Sequence, residues 1–346
     1  MSCKSITTYK NSQKLKKETM IQFVSNFANQ LIEAHKIGKN TTLKEAQNKL
    51  KNVIICGLGG SGIGGKIVAQ LAQKHSQLPI VTHNDYGLPQ FVNENSLVII
   101  SSYSGNTEET ISALKKAVEM KCEIACITSG GEVLEIATKN KLNHLVVPSG
   151  NPPRAMLTYS LVQLIFILEN YGLLPVNSNQ DVLEAVDLIN KEEENFKKEA
   201  KDIASKIHNT TPLIYSDASF EGVGTRFKQQ LNENSKILAF NHVVPEMNHN
   251  ELVGWAGGSN DFSVLFLRNE SDYQRNQLRM EICKEIISAK TNKVFEIYSK
   301  GDSEIAKTLY LIILTDWISV FLAEILEVDP IEVNVITNLK NQLSKH

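Results

Sequence analysis

Three hydroxyls, Ser102, Ser104 and Thr107, crowd the turn that follows the apolar run 97–100, and Ser61 stands inside a glycine-rich turn, 57–65, that follows the run 53–56. Each turn leads from a strand-like run toward a helix, and helix N-termini present unpaired, partly positive N–H groups. Glycines let a ligand approach the backbone, and Ser or Thr hydroxyls add donors. The chemistry this favours is anion binding, with a small phosphate ester as the natural ligand. Gly59, Gly60, Ser61, Ser102, Ser104 and Thr107 are therefore the candidate substrate-binding residues. Thr107 also suits an N-cap, with Glu108 and Glu109 complementing the helix dipole, and the two roles are compatible.

Two rival chemistries share these residues. Gly57, Gly59 and Gly62 spell G-x-G-x-x-G, and Asp85 follows the next strand, which together make a case for a dinucleotide site. Against it, a hydroxyl stands at the centre of the turn, and the neighbouring strand carries a second polar loop where a nicotinamide site is usually apolar. Ser61 as a hydrolase nucleophile needs G-x-S-x-G, but Ile63 occupies the fifth place.

The elements that must position these groups alternate. Strands are expected at 53–56, 80–83, 97–100, 123–128 and 144–147, with helices starting near 62, 107 and 131. Short β-branched runs between helices indicate a doubly wound parallel sheet. An opening helix from about Leu15 to His35 repeats Met20, Phe23, Val24, Phe27, Leu31 and Ile32 at helical spacing and is expected on the outside of this first domain. The stretch 149–153, with its paired prolines, breaks the pattern before a helix from Ala155 to Asn170, and a Lys- and Glu-rich helix around 180–206 reads as a solvated spacer. The alternation then restarts. Strands are expected at 213–215, 237–240, 262–266 and 294–297, with helices from about 219, 247, 274 and 303. The long apolar helix 305–326 ends near Val328-Asp-Pro330, and a terminal helix is expected over 331–343 with Pro330 at its start. The fold class is α/β, with two doubly wound parallel-sheet domains, a leading helix and a short C-terminal helix. Its divisions are 1–150, a helical connector 151–210, and 211–346.

Composition narrows the function classes. With 346 residues, 42% hydrophobic and 21% charged, the chain has room for two ordinary domains, and a net charge of −2 gives no electrostatic case for nucleic acid. No apolar run is read as reaching the roughly 20 residues of a membrane span. The N-terminal stretch, with Lys4, Lys10, Lys14, Lys16 and Lys17, lacks the core of a signal peptide, so a cytoplasmic address is expected. Cys3, Cys56, Cys122, Cys126 and Cys283 are scattered and odd in number, which favours buried free thiols over bridges or zinc ligands.

The two loops resemble the sugar isomerase (SIS) domain, an α/β module that binds phosphosugars. Pro152-Pro-Arg154-Ala-Met-Leu157, the segment 226–236 around Glu233, Met247-Asn-His249-Asn-Glu251 and Leu339-Lys340 narrow the match. Their order along residues 50–343 resembles the bifunctional phosphoglucose/phosphomannose isomerase family, whose chains hold two such domains. The resemblance implies an aldose–ketose isomerase passing through a cis-enediol, with no cofactor. It makes Glu233 the base, Arg154 the cation beside the enediolate, and His249 and Lys340 the ring-opening pair. It also implies a homodimer in which His249 comes from the neighbouring subunit. From position alone, Glu233 is an exposed helix end and Lys340 a surface lysine. His249-x-Glu251 offers too few ligands for a metal site, and none is assigned. The implied substrate is a hexose 6-phosphate, glucose 6-phosphate foremost. Mannose 6-phosphate is less firmly implied, because Val333 stands where some dual-specificity members carry a hydroxyl.

Two other classes remain open on sequence. A non-catalytic phosphosugar-binding protein needs the loops but not Glu233, His249 and Lys340. An NAD(P)-dependent enzyme is the third reading.

Overall fold

The computed structural model describes residues 19–345. The lysines at 4, 10, 14, 16 and 17, Cys3 and the start of the opening helix lie outside these residues.

The opening helix is interrupted at Asn26 into α1 (Met20–Ser25) and α2 (Phe27–Asn40). Thr19 starts α1 with a capping box to Gln22, and Met20, Phe23, Val24, Phe27 and Leu31 are buried as the spacing predicts. The pair does not merely cover the first domain. It packs against three helices introduced below, and Gln30, Glu33 and the Ala34 carbonyl receive hydrogen bonds from Thr158, Tyr159 and Gln163.

The first sheet follows the expected alternation closely: β1 (Asn52–Cys56), α3 (Gly59–Ala72), β2 (Ile80–His83), β3 (Ser96–Ser102), α4 (Glu108–Glu119), β4 (Glu123–Thr128), α5 (Gly131–Lys139) and β5 (Asn143–Val146). All neighbours are parallel in the order β2-β1-β3-β4-β5. The order reverses between β1 and β3, the place where α/β sheets open a crevice at their C-terminal edge. Both predicted loops leave the sheet there.

A 3-10 turn at Pro153–Met156 leads into α6 (Leu157–Asn170), an apolar helix buried almost throughout, and then α7 (Asp181–Ile207). The spacer reading of this charged stretch is corrected by its packing. Val182, Ala185, Val186, Ile189, Phe196, Ala200, Ile203, Ala204 and Ile207 form one buried face, while the Lys and Glu residues occupy the other.

The second sheet contains β6 (Thr211–Asp217), α8 (Glu221–Ser235), β7 (Phe240–Val244), a single turn α9 (Glu251–Gly254), β8 (Phe262–Arg268), α10 (Gln274–Ser288) and β9 (Val294–Tyr298). Its strands are parallel in the order β7-β6-β8-β9, so it repeats the reversal of the first sheet between β6 and β8. β7 starts at the end of the predicted 237–240 segment. Asn232 holds the Ile237 carbonyl, which keeps the chain off the sheet until Phe240 pairs with Leu213. The helix expected from 247 is a 3-10 turn, Glu246–His249, followed by α9.

Helix α11 (Glu304–Ile325) corrects the reading that no run matches a membrane span. Its length and mean hydropathy of 1.7 suffice, but 83% of that window is buried inside the protein, against α7 and α8. It is a core helix, and α1 packs on it as well. The terminal α12 (Asn334–Leu343) begins three residues later than expected, and Pro330 lies in a bend that precedes it. Not one residue of α12 is buried.

Candidate active site

The sequence places Ser61 in the first turn of α3, and the fold joins it to the second loop: Ser61 Oγ accepts from the Tyr103 amide at 3.0 Å. Tyr103 in turn takes two bonds from Ser129 on its carbonyl, so the ends of β1, β3 and β4 form one cradle. Ser102 is buried and its hydroxyl donates to Thr107 Oγ1 at 3.2 Å. Thr107 occupies the N-cap place of α4 yet makes no side-chain cap bond. Its hydroxyl is held toward Ser102 rather than across the helix end. Ser104 is exposed, accepting only from the Asn106 amide at 3.3 Å. Gly59 adopts φ +53, and Leu58 at the N-cap of α3 supplies no side-chain acceptor, leaving the Gly59 and Gly60 amides unbonded among the described residues. These are the features an anion needs.

Gly105 shows why the second loop is tight. It sits at φ +70, and a Cβ there would lie 1.8 Å from the Gly130 carbonyl oxygen. Gly60 makes a different close approach. A Cβ on it would meet the Pro153 carbonyl at 3.1 Å and the Arg154 backbone at 3.2 Å, so the cradle and Arg154 are immediate neighbours.

Arg154 links both halves of the molecule. It is buried, its Nε donates to Asn234 Oδ1 at 3.0 Å, and its Nη2 donates to the carbonyls of Pro330 at 2.5 Å and Ile331 at 3.1 Å. Nη1 lies 3.4 Å from Glu233 Oε2, which is partly exposed near the end of α8. Burial holds the Arg154 guanidinium below its usual basicity, while Glu233 pulls the other way. Behind the pair, Arg226 donates to the Arg154 carbonyl at 3.1 Å and to Asp316 Oδ2 at 2.6 Å, both side chains almost fully enclosed. Burial raises the Asp316 pKa, and Arg226 opposes the rise.

His249 and Lys340 are not joined to this group. Each is exposed, and neither side chain forms a hydrogen bond or ion pair among the described residues. The turn that carries His249 is nonetheless well anchored. Glu251 accepts from Tyr215 Oη at 2.5 Å and pairs with His242 Nδ1 at 2.8 Å, while Asn248 donates to Cys283 Sγ at 2.8 Å.

Sequence reasoning missed three contributors. Tyr103 ties the loops together through its backbone, which no side-chain pattern reports. Asn234 and Lys236 flank the pair from within the segment that contains Glu233, and their placement depends on where α8 ends. Lys236 takes the left-handed conformation at φ +58 and its Nζ donates to the carbonyls of Glu233 and Glu332.

Asp85 is exposed and accepts the following Tyr86 amide, so the dinucleotide reading gains no support from it. An open groove of about 800 Å³ lies beside α4 and shares only Asn106 with the cradle. Glu108, Glu119 and Glu132 line it, and its two lysines, Lys115 and Lys116, are already paired with Glu132 and Glu119. Cys56, Cys122, Cys126 and Cys283 are free, and burial pushes the Cys56 and Cys126 thiols up to about 12 and Cys122 to about 11. These thiols are suited to packing, not nucleophilic work.

Comparison with known proteins adds a direct line of evidence. A family described as the SIS domain matches residues 48–169, and one described as the bacterial phospho-glucose isomerase C-terminal SIS domain matches residues 196–343. A bifunctional phosphoglucose/phosphomannose isomerase from Caldicellulosiruptor bescii is 36% identical over 94% of this chain and 99% of its own. One of the same description from Aquifex aeolicus is 35% identical over 95% of this chain and 99% of its own. Among solved structures, the C-terminal domain of glucosamine-fructose-6-phosphate aminotransferase from Francisella tularensis superposes with a TM-score of 0.68, covering 92% of this chain and 99% of that one at 13% identity. At that identity the likeness concerns the fold alone.

Proposed function

The chain belongs to the bifunctional phosphoglucose/phosphomannose isomerase family and is an aldose–ketose isomerase, and from that premise we propose that it interconverts glucose 6-phosphate with fructose 6-phosphate. The observation that carries the reading is the Arg154–Glu233 ion pair, whose arginine has its backbone set against Gly60 of the cradle. A base and a cation stand beside an anion cradle, and that is what a reaction through an enediolate requires.

In this reading the phosphate rests on Ser61, Ser102, Ser104, Thr107 and the Gly59 and Gly60 amides. Glu233 takes the proton from C2 of the open-chain aldose as the C1 carbonyl oxygen gains one, and the same carboxyl then returns a proton to C1 as the C2 hydroxyl gives up its own and becomes the carbonyl. The ketose results, with no net change in protons. Arg154 stabilises the negative charge that develops on the enediolate oxygens. His249 and Lys340 open the sugar ring beforehand, His249 reaching the site from a second copy in a homodimer. Its exposure and its side chain's lack of a partner among the described residues support that assignment. The chemistry drawn needs no metal and no other cofactor.

Mannose 6-phosphate differs only at C2 and gives the same enediol, so it is the second proposed substrate. The descriptions of the relatives support it, although Val333 at the N-cap place of α12 offers no hydroxyl. Deeply buried free thiols support a reducing, cytoplasmic setting.

The test is isomerisation by chelator-treated protein with glucose 6-phosphate and mannose 6-phosphate in turn, alongside a solution mass measurement. Turnover of the first and a dimeric mass are expected. Tight sugar phosphate binding with no turnover of either substrate would move the protein to the non-catalytic class.

A further inference from the structure

We propose that Lys236 is a positioning residue of this isomerase: with Arg154 it clamps the carbonyls of residues 330–332 and thereby sets the helix that presents Lys340. The inference rests on the reading above that Lys340 takes part in ring opening.

Helix α12 has no packing of its own to hold it. None of its residues is buried, and Val335, Ile336, Leu339 and Leu343 are all exposed. Its position is fixed from the segment that leads into it. There, Ile331 packs partly against the core, and three successive carbonyls are taken by two cations. Arg154 Nη2 holds Pro330 and Ile331, and Lys236 Nζ holds Glu332 at 2.7 Å. These engaged carbonyls lie immediately before the start of α12.

Lys236 has a left-handed backbone. It ends α8 at φ +58 and ψ 29, a left-handed cap that glycine adopts freely and other residues adopt under strain. Lys121 and Lys141 take the same conformation, and what sets Lys236 apart is where its amine reaches. That amine also donates to the Glu233 carbonyl at 2.5 Å, so one ammonium ties the residue bearing the proposed base to the segment bearing the proposed ring-opening group. Neither partner is a carboxylate. Partial burial and the neighbouring Arg154 both lower the Lys236 pKa, the expected result of crowding two cations around one strap.

Three variants and two readouts test this. Lys236→Met removes the donor, Lys236→Gly removes it while suiting the left-handed backbone, and Lys236→Arg restores a cation. In Met and Gly variants, kcat for glucose 6-phosphate should fall about tenfold or more with KM within about threefold, since phosphate contacts are untouched. Amide exchange across 334–343 should quicken about tenfold in both, and Lys236→Arg should recover most of each loss. The Gly variant should melt no lower than the Met variant, which separates loss of the tether from loss of the fold. Unchanged exchange and turnover in Lys236→Met, beside an inactive Lys340→Met, would overturn the tether. Wild-type turnover in Lys340→Met would instead overturn the ring-opening reading, and the proposal with it.

Discussion

Replacing Glu233 by Gln keeps the shape of the side chain and removes the base, and the structure allows the two consequences to be sized separately. Arg154 loses a charged partner at 3.4 Å, but it keeps Asn234 on Nε and two carbonyls on Nη2. The Glu233 side chain is 28% exposed, so the ion pair is partly screened and its loss should cost less than about 1 kcal/mol of stability. A positioned general base is worth about 10² to 10⁴ in rate, or roughly 3–5 kcal/mol in the barrier. Turnover should therefore collapse in a protein that melts within a few degrees of wild type. The assay is kcat for glucose 6-phosphate, together with uptake of solvent deuterium at C2, thermal unfolding, and binding of a non-isomerisable hexitol 6-phosphate. Binding should persist while both turnover and deuterium uptake vanish. Turnover within about fivefold of wild type would show that another group moves the proton, and the geometry would have to be read around a different base.

Three further substitutions probe the frame behind the site. Asp316→Ala leaves the enclosed Arg226 guanidinium without its carboxylate and should cost about 3–5 kcal/mol in urea unfolding. A loss below about 1 kcal/mol would mean that water reaches the pair. Gly105→Ala forces a side chain into a left-handed turn and against the Gly130 carbonyl, so soluble folded protein should be scarce and any that forms should bind sugar phosphate poorly. Asp272 concerns pH: its carboxyl is pushed to about 7, first by burial and then by Asp217. The folded state thus keeps a proton that the unfolded chain releases near pH 4, so stability from this group is complete below that value and is lost as pH rises toward 7. Asp272→Asn should raise the unfolding midpoint at pH 8 and leave it nearly unchanged at pH 4, which thermal scans at the two pH values would check.

What the sequence revealed depended on how local the cause was. β1 to β5 were legible because buried parallel strands are short continuous apolar runs, and the cradle was legible because glycine and hydroxyls cluster within each turn. The buried face of α7 was also present as Val182, Ala185, Val186 and Ile189 at helical spacing, but the density of Lys and Glu obscured it. β7 was displaced because a side-chain bond from Asn232 decides where pairing begins, and hydropathy carries no trace of such a bond. The start of α12 was missed for a similar reason. Pro330 signals a helix start locally, yet the segment 330–332 is held by Arg154 and Lys236, far away in sequence, and the helix begins after it. Of the site, the loops follow from residue types alone. Glu233, His249 and Lys340 carried weight only through family resemblance, since singly each looks like an ordinary surface residue.

The repeated architecture raises the question of why one crevice, and not two, is suited to a phosphate. Both sheets reverse strand order at a comparable place, between β1 and β3 and between β6 and β8. In the first, the strand ends run into Gly57–Ser61 and Ser102–Thr107. In the second, β6 ends at Asp217, and Asp272 follows β8, both buried carboxylates. Asp217 holds the Ser219 amide and the Asn276 side chain, so the donors that an anion would use already have an acceptor. Gln70 of α3 closes the same loop by donating to the Ala218 carbonyl and accepting from the Gly222 amide. An anion entering there would meet negative charge and satisfied donors. The second half instead supplies Asn234, Lys236 and Glu233 from the far end of α8, at the Arg154 seam. Duplication of the sheet thus yields a division of labour: one crevice suited to hold the phosphate, and one helix end suited to act on the carbons beside it.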